Sequence, residues 1–210
     1  AASDVYKRQK LDLESRIGIR VFLNPTRMLM KEFHKLGLIQ NCGSSYVKFS
    51  GCKGFFDGAL GSQTALLSIK YADTNTKGEK FVNEEELVSQ IVFAEINGMT
   101  LCIHAIGDQA IKELLNCFET GIKKAGKKTS KRRHRIEHAE YITDEQIQRA
   151  KDLGIILSMQ PNFLKWERPG GLYEERLGKD RFMNLNRFSK VLDLKAHLSF
   201  GSDNMPLDPM

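Results

Sequence analysis

Two short stretches near the middle of the chain carry the residue types of metal chemistry. One is Leu101-Cys102-Ile103-His104-Ala105-Ile106-Gly107-Asp108; the other is Arg135-Ile136-Glu137-His138-Ala139-Glu140. Each is a brief apolar run that closes on a histidine and leads into a helical pattern. In a barrel of parallel strands, chemistry is built at the C-terminal strand ends. Neutral imidazole is a common metal ligand, so histidines at successive strand ends can converge on one ion. A lone strand histidine is more often a satisfied core residue. Two of them, both followed by turn-forming or polar residues, favour ligation. A third run, Leu198-Ser199-Phe200-Gly201-Ser202-Asp203, adds a carboxylate to the same tier.

The neighbours of these residues have their own expected places. By strand alternation His134 shares a face with Ile136 and His138 but lies lower, which reads as a structural role. Glu137 is expected to point away from His138 and anchor the sheet to a helix. Cys102 is assigned to the face of its strand opposite His104, so no Cys–His pair is expected. Asp108 is placed to cap the helix that follows it, to orient His104 by a hydrogen bond, or both.

The elements that must position these groups follow a βα rhythm. Ile17–Leu23 reads as a strand stopped at Asn24-Pro25, and Thr26–Leu36 as a helix closed by Gly37. Tyr46–Phe56 is extended, with Gly51 as a bulge or break. A glycine-rich loop, Asp57–Ser62, opens a long connection to Asn83, which caps a helix over Glu84–Asn97 with Glu86 at its third position. Leu101–Ala105 is a buried strand. Ile111, Leu114, Leu115 and Phe118 mark the inward face of the helix after it. Arg135–Ala139 is the next strand, and Thr143 with Gln146 makes a capping box for a helix ending at Gly154. Ile155–Met159 is a strand broken at Pro161. Short helices follow near Tyr173–Leu177 and over Arg181–Leu192, and Ala196–Phe200 is the last strand. Six strands with helices or long crossovers between them imply parallel βα units. An open doubly wound sheet shares that rhythm, but no GxGxxG follows any strand.

At 210 residues the chain can build one sizeable core. No apolar run approaches the roughly 18 residues needed to cross a bilayer, so a membrane partner is not expected. The net charge of +6 is uneven. Lys123, Lys124, Lys127, Lys128, Lys131, Arg132, Arg133 and Arg135 put eight positive charges within thirteen residues, and the rest of the chain nets −2 once they are set aside. With no aromatics interleaved for stacking on bases, the run reads as a solvated loop rather than a nucleic-acid contact. Cys42, Cys52, Cys102 and Cys117 have no metal-finger spacing and read as reduced thiols of a cytoplasmic protein. Asp4-Val5-Tyr6-Lys7-Arg8-Gln9 resembles the translation of a sequencing-library adaptor, so residues 1–9 are set apart from a barrel domain over 10–210. The other end stops at Asp208-Pro209-Met210, directly after a strand and a turn. Both ends suggest an internal fragment.

In chain order stand Lys53-Gly54-Phe55-Phe56-Asp57-Gly58-Ala59-Leu60-Gly61-Ser62-Gln63-Thr64-Ala65-Leu66, His104-Ala105-Ile106-Gly107-Asp108, His134-Arg135-Ile136-Glu137-His138-Ala139, Met159-Gln160-Pro161 and Gly201-Ser202-Asp203. Each is weak alone; together they resemble the amidohydrolase superfamily, specifically its amidohydrolase 3 (YtcJ-like) branch. The resemblance implies an α/β fold: a partial TIM (β/α)8 barrel of about six βα units, strands three to eight. The first two strands, with the family's His-x-His, and a β-sandwich subdomain are missing. It further implies His104 and His138 as metal ligands and Lys53 as a carbamylated, metal-bridging residue, with a structural ion pair as the alternative for Lys53. Asp203 would be the general base, with an N-cap before the Pro206 turn as its alternative. Gln160, Asn162 and Trp166 would line the substrate pocket, and Gly58 and Gly61 would let their loop turn tightly over the site.

The implied activity is metal-dependent hydrolysis of a non-peptide carbon–nitrogen bond in a small molecule, of the N-substituted amide or formamide type. A divalent metal suits it, because it acidifies bound water and polarises the carbonyl. Histidine ligands favour zinc, one or two ions; manganese, iron or cobalt could fill the same geometry. A deaminase or cyclic-amide hydrolase of the same superfamily is the alternative. A binding module acting through the basic run and a catalytically incomplete fragment are readings of other classes. A homo-oligomer is left open.

Overall fold

The computed structural model of the chain describes residues 2–203, so the Pro206 turn and the Asp208–Met210 end lie outside the described residues. Helix α1 (Ala2–Leu13) runs through the segment set apart above. Strand β1 (Val21–Leu23) follows, then a 3-10 turn (Arg27–Leu29) and α2 (Met30–Lys35). The extended stretch at 46–56 is two strands, β2 (Val47–Phe49) and β3 (Cys52–Phe55). The break falls at Ser50-Gly51, where the backbone passes so close to Thr100 that a Cβ on Gly51 would lie 2.8 Å from its carbonyl oxygen. Seven strands, not six, therefore stand among the described residues.

The remaining elements alternate: α3 (Glu84–Asn97), β4 (Leu101–Ala105), α4 (Asp108–Lys124), β5 (Arg135–His138), α5 (Asp144–Leu153) and β6 (Ile156–Met159). A 3-10 segment (Pro161–Trp166), α6 (Leu172–Leu177), α7 (Lys179–Phe182) and α8 (Phe188–Asp193) lead to β7 (His197–Phe200). The fold is α/β with parallel strands. β1 pairs with β2, and β3-β4-β5-β6-β7 form a second sheet in chain order. That order lacks the reversal of a doubly wound sheet. A bridge between Thr26 and Lys53 ties the two sheets together.

Alternation sorts the five-stranded sheet into two faces. Ile103, Ala105, Ile136, Leu157 and Met159 are fully buried in a core with Leu87 and Ile91 of α3, Ile111, Leu114, Leu115 and Phe118 of α4, and Ile147 of α5. Burying each of the larger of these side chains is worth about 1.5–3 kcal/mol, so this helix-packed face is what fastens the helices to the sheet. The opposite face carries the polar residues. Register aligns Lys53, Cys102 and Arg135 in one tier, and Phe55, His104, Glu137, Ser158 and Ser199 in the next.

This register corrects two expectations. Cys102 and His104 are two residues apart and share a face, as a period of two demands. Burial pushes the Cys102 thiol up to about 11, which keeps it protonated and out of any Cys–His pair. Glu137 also lies on the polar face and accepts from Arg135 Nε at 2.7 Å, instead of reaching a helix. Part of the basic run is likewise spoken for within the fold: Lys127 Nζ donates to the Glu95 carboxylate at 2.7 Å and Arg132 Nε to the Glu95 carbonyl at 3.3 Å. No helix among the described residues is long and apolar enough to cross a membrane.

Candidate active site

The site is built where β3, β4 and β5 end. His104 comes off β4 on the polar face. The last turn of β5 is unusual: His138 and the next residue, Ala139, are non-glycine residues at φ +77° and +50°. Left-handed backbone costs an L-residue on the order of 1–3 kcal/mol and collects at functional sites. It ends the strand at His138, whose ring meets His104 instead of following Ile136 into the helix-packed core. The ring centroids are 4.5 Å apart. His134, by contrast, is fully buried on the helix side. Its Nδ1 accepts from the Leu101 N–H at 2.9 Å and its Nε2 lies 3.1 Å from Glu95 Oε1. Its place is structural, and it shares no face with the His138 ring.

Each candidate ligand ring is anchored through one nitrogen. His104 Nε2 donates to the Gly58 carbonyl at 2.8 Å, which leaves the lone pair on Nδ1. His138 Nδ1 donates to Gln160 Oε1 at 2.7 Å, which leaves the lone pair on Nε2. Burial first, and then the neighbouring His138, lowers the His104 pKa to about 4; burial and then Lys53 do the same for His138. Both rings are therefore neutral at physiological pH, the state that ligates a metal. Two neutral imidazoles with unspent lone pairs fit part of a divalent-metal shell. No three His, Cys, Asp or Glu side chains converge among the described residues, so two imidazoles do not complete the shell.

Lys53 lies one tier below His104, its Nζ 5.0 Å from the Phe55 ring centroid. Burial lowers its pKa, opposed first by the charge of Glu137. Asp203 is exposed, in a turn at φ +52°, and its charge acts on both His104 and Lys53. Asn162 Nδ2 donates to the Ser202 carbonyl at 3.1 Å, so Asn162 fastens the turn that carries Asp203. Gln160 is only 4% exposed and its amide oxygen is committed to His138. Trp166 stands 5.0 Å from Phe163 and 6.0 Å from Tyr173, with Lys165 Nζ 4.6 Å above its ring. Asp108 does not cap α4: Gly107 holds the N-cap position without a side-chain bond. The Asp108 carboxylate accepts from the Ser68 N–H at 3.0 Å and from the Ser68 hydroxyl, fastening the 57–83 connection.

The carboxylate that faces His104 is Asp57, the first residue of the glycine-rich loop. It is fully buried and accepts from the N–H groups of Leu66, Ile106 and Gly107 at 2.9–3.0 Å. A signal was present: Phe56-Asp57-Gly58 ends an apolar run just as the histidine motifs do. Phe163 was also missed; it stacks on His138 at 5.9 Å and 8°. A third buried acid, Glu140, accepts from the Tyr173 hydroxyl at 2.6 Å, and burial raises its pKa to about 7.

Comparison with known proteins places the chain in a lineage. The amidohydrolase family profile matches residues 4–210. The chain belongs to the amidohydrolase family. It is 36% identical over 173 residues to "Putative amidohydrolase YtcJ" of Bacillus subtilis (strain 168), a match covering 82% of this chain and 31% of that protein. It is 33% identical over 162 residues to "Protein LONG AFTER FAR-RED 3" of Arabidopsis thaliana, covering 76% of this chain and 27% of that protein. An uncharacterized metal-dependent hydrolase from Pyrococcus furiosus superposes with a TM-score of 0.78 at 30% identity, over 95% of this chain and 40% of that one. One from Pyrococcus horikoshii OT3 does so with a TM-score of 0.78 at 32% identity, over 95% and 38%. The chain thus spans under a third of the length of the curated relatives it matches.

Proposed function

We propose that this chain carries part of the active site of a metal-dependent hydrolase acting on a non-peptide carbon–nitrogen bond, of the N-substituted amide or formamide type, in a small molecule. The observation that carries the reading is the His104–His138 pair: neutral rings 4.5 Å apart, each tied through one nitrogen to an uncharged oxygen. Membership of the amidohydrolase family supports the same chemistry. So does the sheet, whose parallel strands in chain order suit an arc of a (β/α)8 barrel with its chemistry at the C-terminal strand ends.

His104 Nδ1 and His138 Nε2 would hold the metal, zinc by the nature of the donors. Bound there, a divalent metal supplies a water acidified enough to attack at neutral pH and a polarised carbonyl. Asp203 takes the proton of the attacking water and delivers it to the leaving nitrogen as the carbon–nitrogen bond breaks. Lys53, as a carbamate, would add two anionic oxygens to the shell; its lowered pKa supports this, because carbamylation needs the free amine. Asn162 holds the Asp203 turn, and Trp166 borders the substrate.

The test is metal content by elemental analysis of the full-length protein and its His104→Ala and His138→Ala variants, with turnover of a panel of N-acyl and N-formyl amides. Each substitution should lower metal content and abolish turnover while the fold persists. Unchanged stoichiometry in both variants would sink the reading.

A further inference from the structure

Three histidines near the sheet are each fixed by a partner that settles where the ring proton sits. His134 Nδ1 receives the Leu101 N–H, so its own proton is on Nε2, toward Glu95. His104 Nε2 faces a carbonyl, which only accepts, so its proton is also on Nε2. His138 is the reverse. Gln160 Nε2 donates to the Ser158 carbonyl at 3.3 Å, which assigns Oε1 as the amide atom facing the ring, 2.7 Å from Nδ1. An amide oxygen only accepts, so the His138 proton is on Nδ1 and its lone pair on Nε2.

The same short segment also holds the plane of the ring. Phe163, three residues on, lies nearly parallel to it at 8°. Pro161 starts the 3-10 turn between the two, and the Phe163 N–H closes that turn on the Gln160 carbonyl at 3.1 Å. Gln160 is thus a buried, uncharged side chain whose amide joins the His138 ring to the Ser158 carbonyl.

We propose that Gln160 is a positioning residue: it locks His138 in the Nδ1–H tautomer, and with Phe163 on the ring face it keeps Nε2 unprotonated for the metal. The proposal rests on the reading of His138 as a ligand. Without Gln160 the ring can carry its proton on Nε2, which blocks ligation through that atom.

The tautomers are read from long-range proton–nitrogen spectra of the metal-free, full-length protein near neutral pH. His138 should show Nδ1–H, and His104 and His134 should show Nε2–H. Gln160→Leu should move His138 to Nε2–H or a mixture, leave the His134 signals in place as a control for the fold, and weaken zinc binding about 10–100-fold. Gln160→Asn, which withdraws the oxygen by one methylene, should act in the same direction if the leucine variant does not fold. Gln160→Glu, whose carboxylate also accepts, should restore the Nδ1–H tautomer; a purely structural role predicts no such rescue. Nε2–H on His138 in the unaltered protein would overturn the proposal, as would an unchanged tautomer and zinc affinity in Gln160→Leu. If His138→Ala keeps its full metal content, the ligand reading fails by itself, and a tautomer shift in Gln160→Leu still supports Gln160 as the residue that sets this ring.

Discussion

The Asp57 carboxylate lies 3.7 Å from His104 Nε2, yet both of its oxygens are taken by the main chain. One oxygen receives the Ile106 N–H and the other receives those of Leu66 and Gly107. Asp57 therefore fastens the loop after β3 to the end of β4, and the next residue, Gly58, offers its carbonyl to His104. Asp57→Ala would leave three N–H groups without this acceptor, at about 1–3 kcal/mol for each that stays buried and unpaired. The expected loss is at least about 3 kcal/mol in urea denaturation, with a drop in metal affinity through His104. Asp57→Asn should fall between, since its amide can satisfy only part of this set.

Gly107 and Gly61 should respond very differently to alanine. A Cβ on Gly107 would sit 2.0 Å from the Leu66 carbonyl oxygen and 2.5 Å from its carbon, both main-chain atoms of a residue whose N–H is bonded to Asp57 and whose carbonyl accepts from the Ala110 N–H. On Gly61 it would meet only Leu172 Cδ2 at 3.3 Å, the end of a flexible side chain. Gly107→Ala is expected to cost more than about 2 kcal/mol and to lower metal binding, whereas Gly61→Ala should be within about 0.5 kcal/mol of the parent. Thermal denaturation of the two variants side by side decides this, and equal melting temperatures would contradict it.

Glu140 makes a pH prediction with a definite sign. Burial raises its pKa from 4.5 to about 7, so the folded state holds a proton that the unfolded state releases. Its contribution is fully present below about pH 4.5 and is lost as pH rises through about 7, with a slope of at most about 1.4 kcal/mol per pH unit for one proton. Asp57, raised to about 6, acts in the same direction. His104 and His138, lowered to about 4, act oppositely: their contribution is present above the unfolded histidine pKa and lost as pH falls through 4. Glu140→Gln keeps an acceptor for the Tyr173 hydroxyl and removes the titration. The stability gap between the variant and the parent should therefore shift in favour of glutamine from pH 5 to pH 8. A constant gap would contradict a buried, titrating Glu140.

Lys53 is expected to be carbamylated in the metal-loaded protein. Lys53→Ala should lose activity and regain part of it with short carboxylic acids, which can supply a bridging carboxylate. A bare amine in well-resolved density of a metal-bound crystal structure would exclude the modification.

Much of the frame was legible because it rests on local rules. Asn83 accepts from the Glu86 N–H, the Thr143–Gln146 capping box forms, and Gly98 and Gly154 close their helices at φ +72°. These features depend on neighbours in sequence. What escaped depends on distant contacts or on backbone that propensity disfavours. The split of 46–56 comes from the approach of Thr100. The helix read over Arg181–Leu192 divides because Asn186 sits at φ +42° and its N–H reaches the Glu140 carbonyl at 2.8 Å. His138 leaves its face by left-handed backbone, which alternation cannot foresee. Among the candidate site residues, the strand-end positions of His104 and His138 are legible in the sequence, whereas the place of Asp57 is not, because its partners are main-chain groups that no motif displays.

The chain-order sheet β3-β4-β5-β6-β7 bears on how the molecule is reached from the unfolded state. Each strand pairs with its successor across a crossover that runs from 17 residues (139–155) to 45 (56–100). Loop-closure entropy grows only logarithmically, so these extremes differ by about 0.9 kcal/mol. No junction is a topological bottleneck, and pairing can spread from a nucleus one βα unit at a time. The α3–β4–α4 region, which supplies Leu87, Ile91, Leu101, Ile103, Ile111, Leu114 and Phe118 to the core, is the expected nucleus. The two halves of the histidine pair would then come together as soon as β5 docks on β4, before β6 delivers Gln160, and the ring of His138 would acquire its fixed tautomer one folding step later than its position.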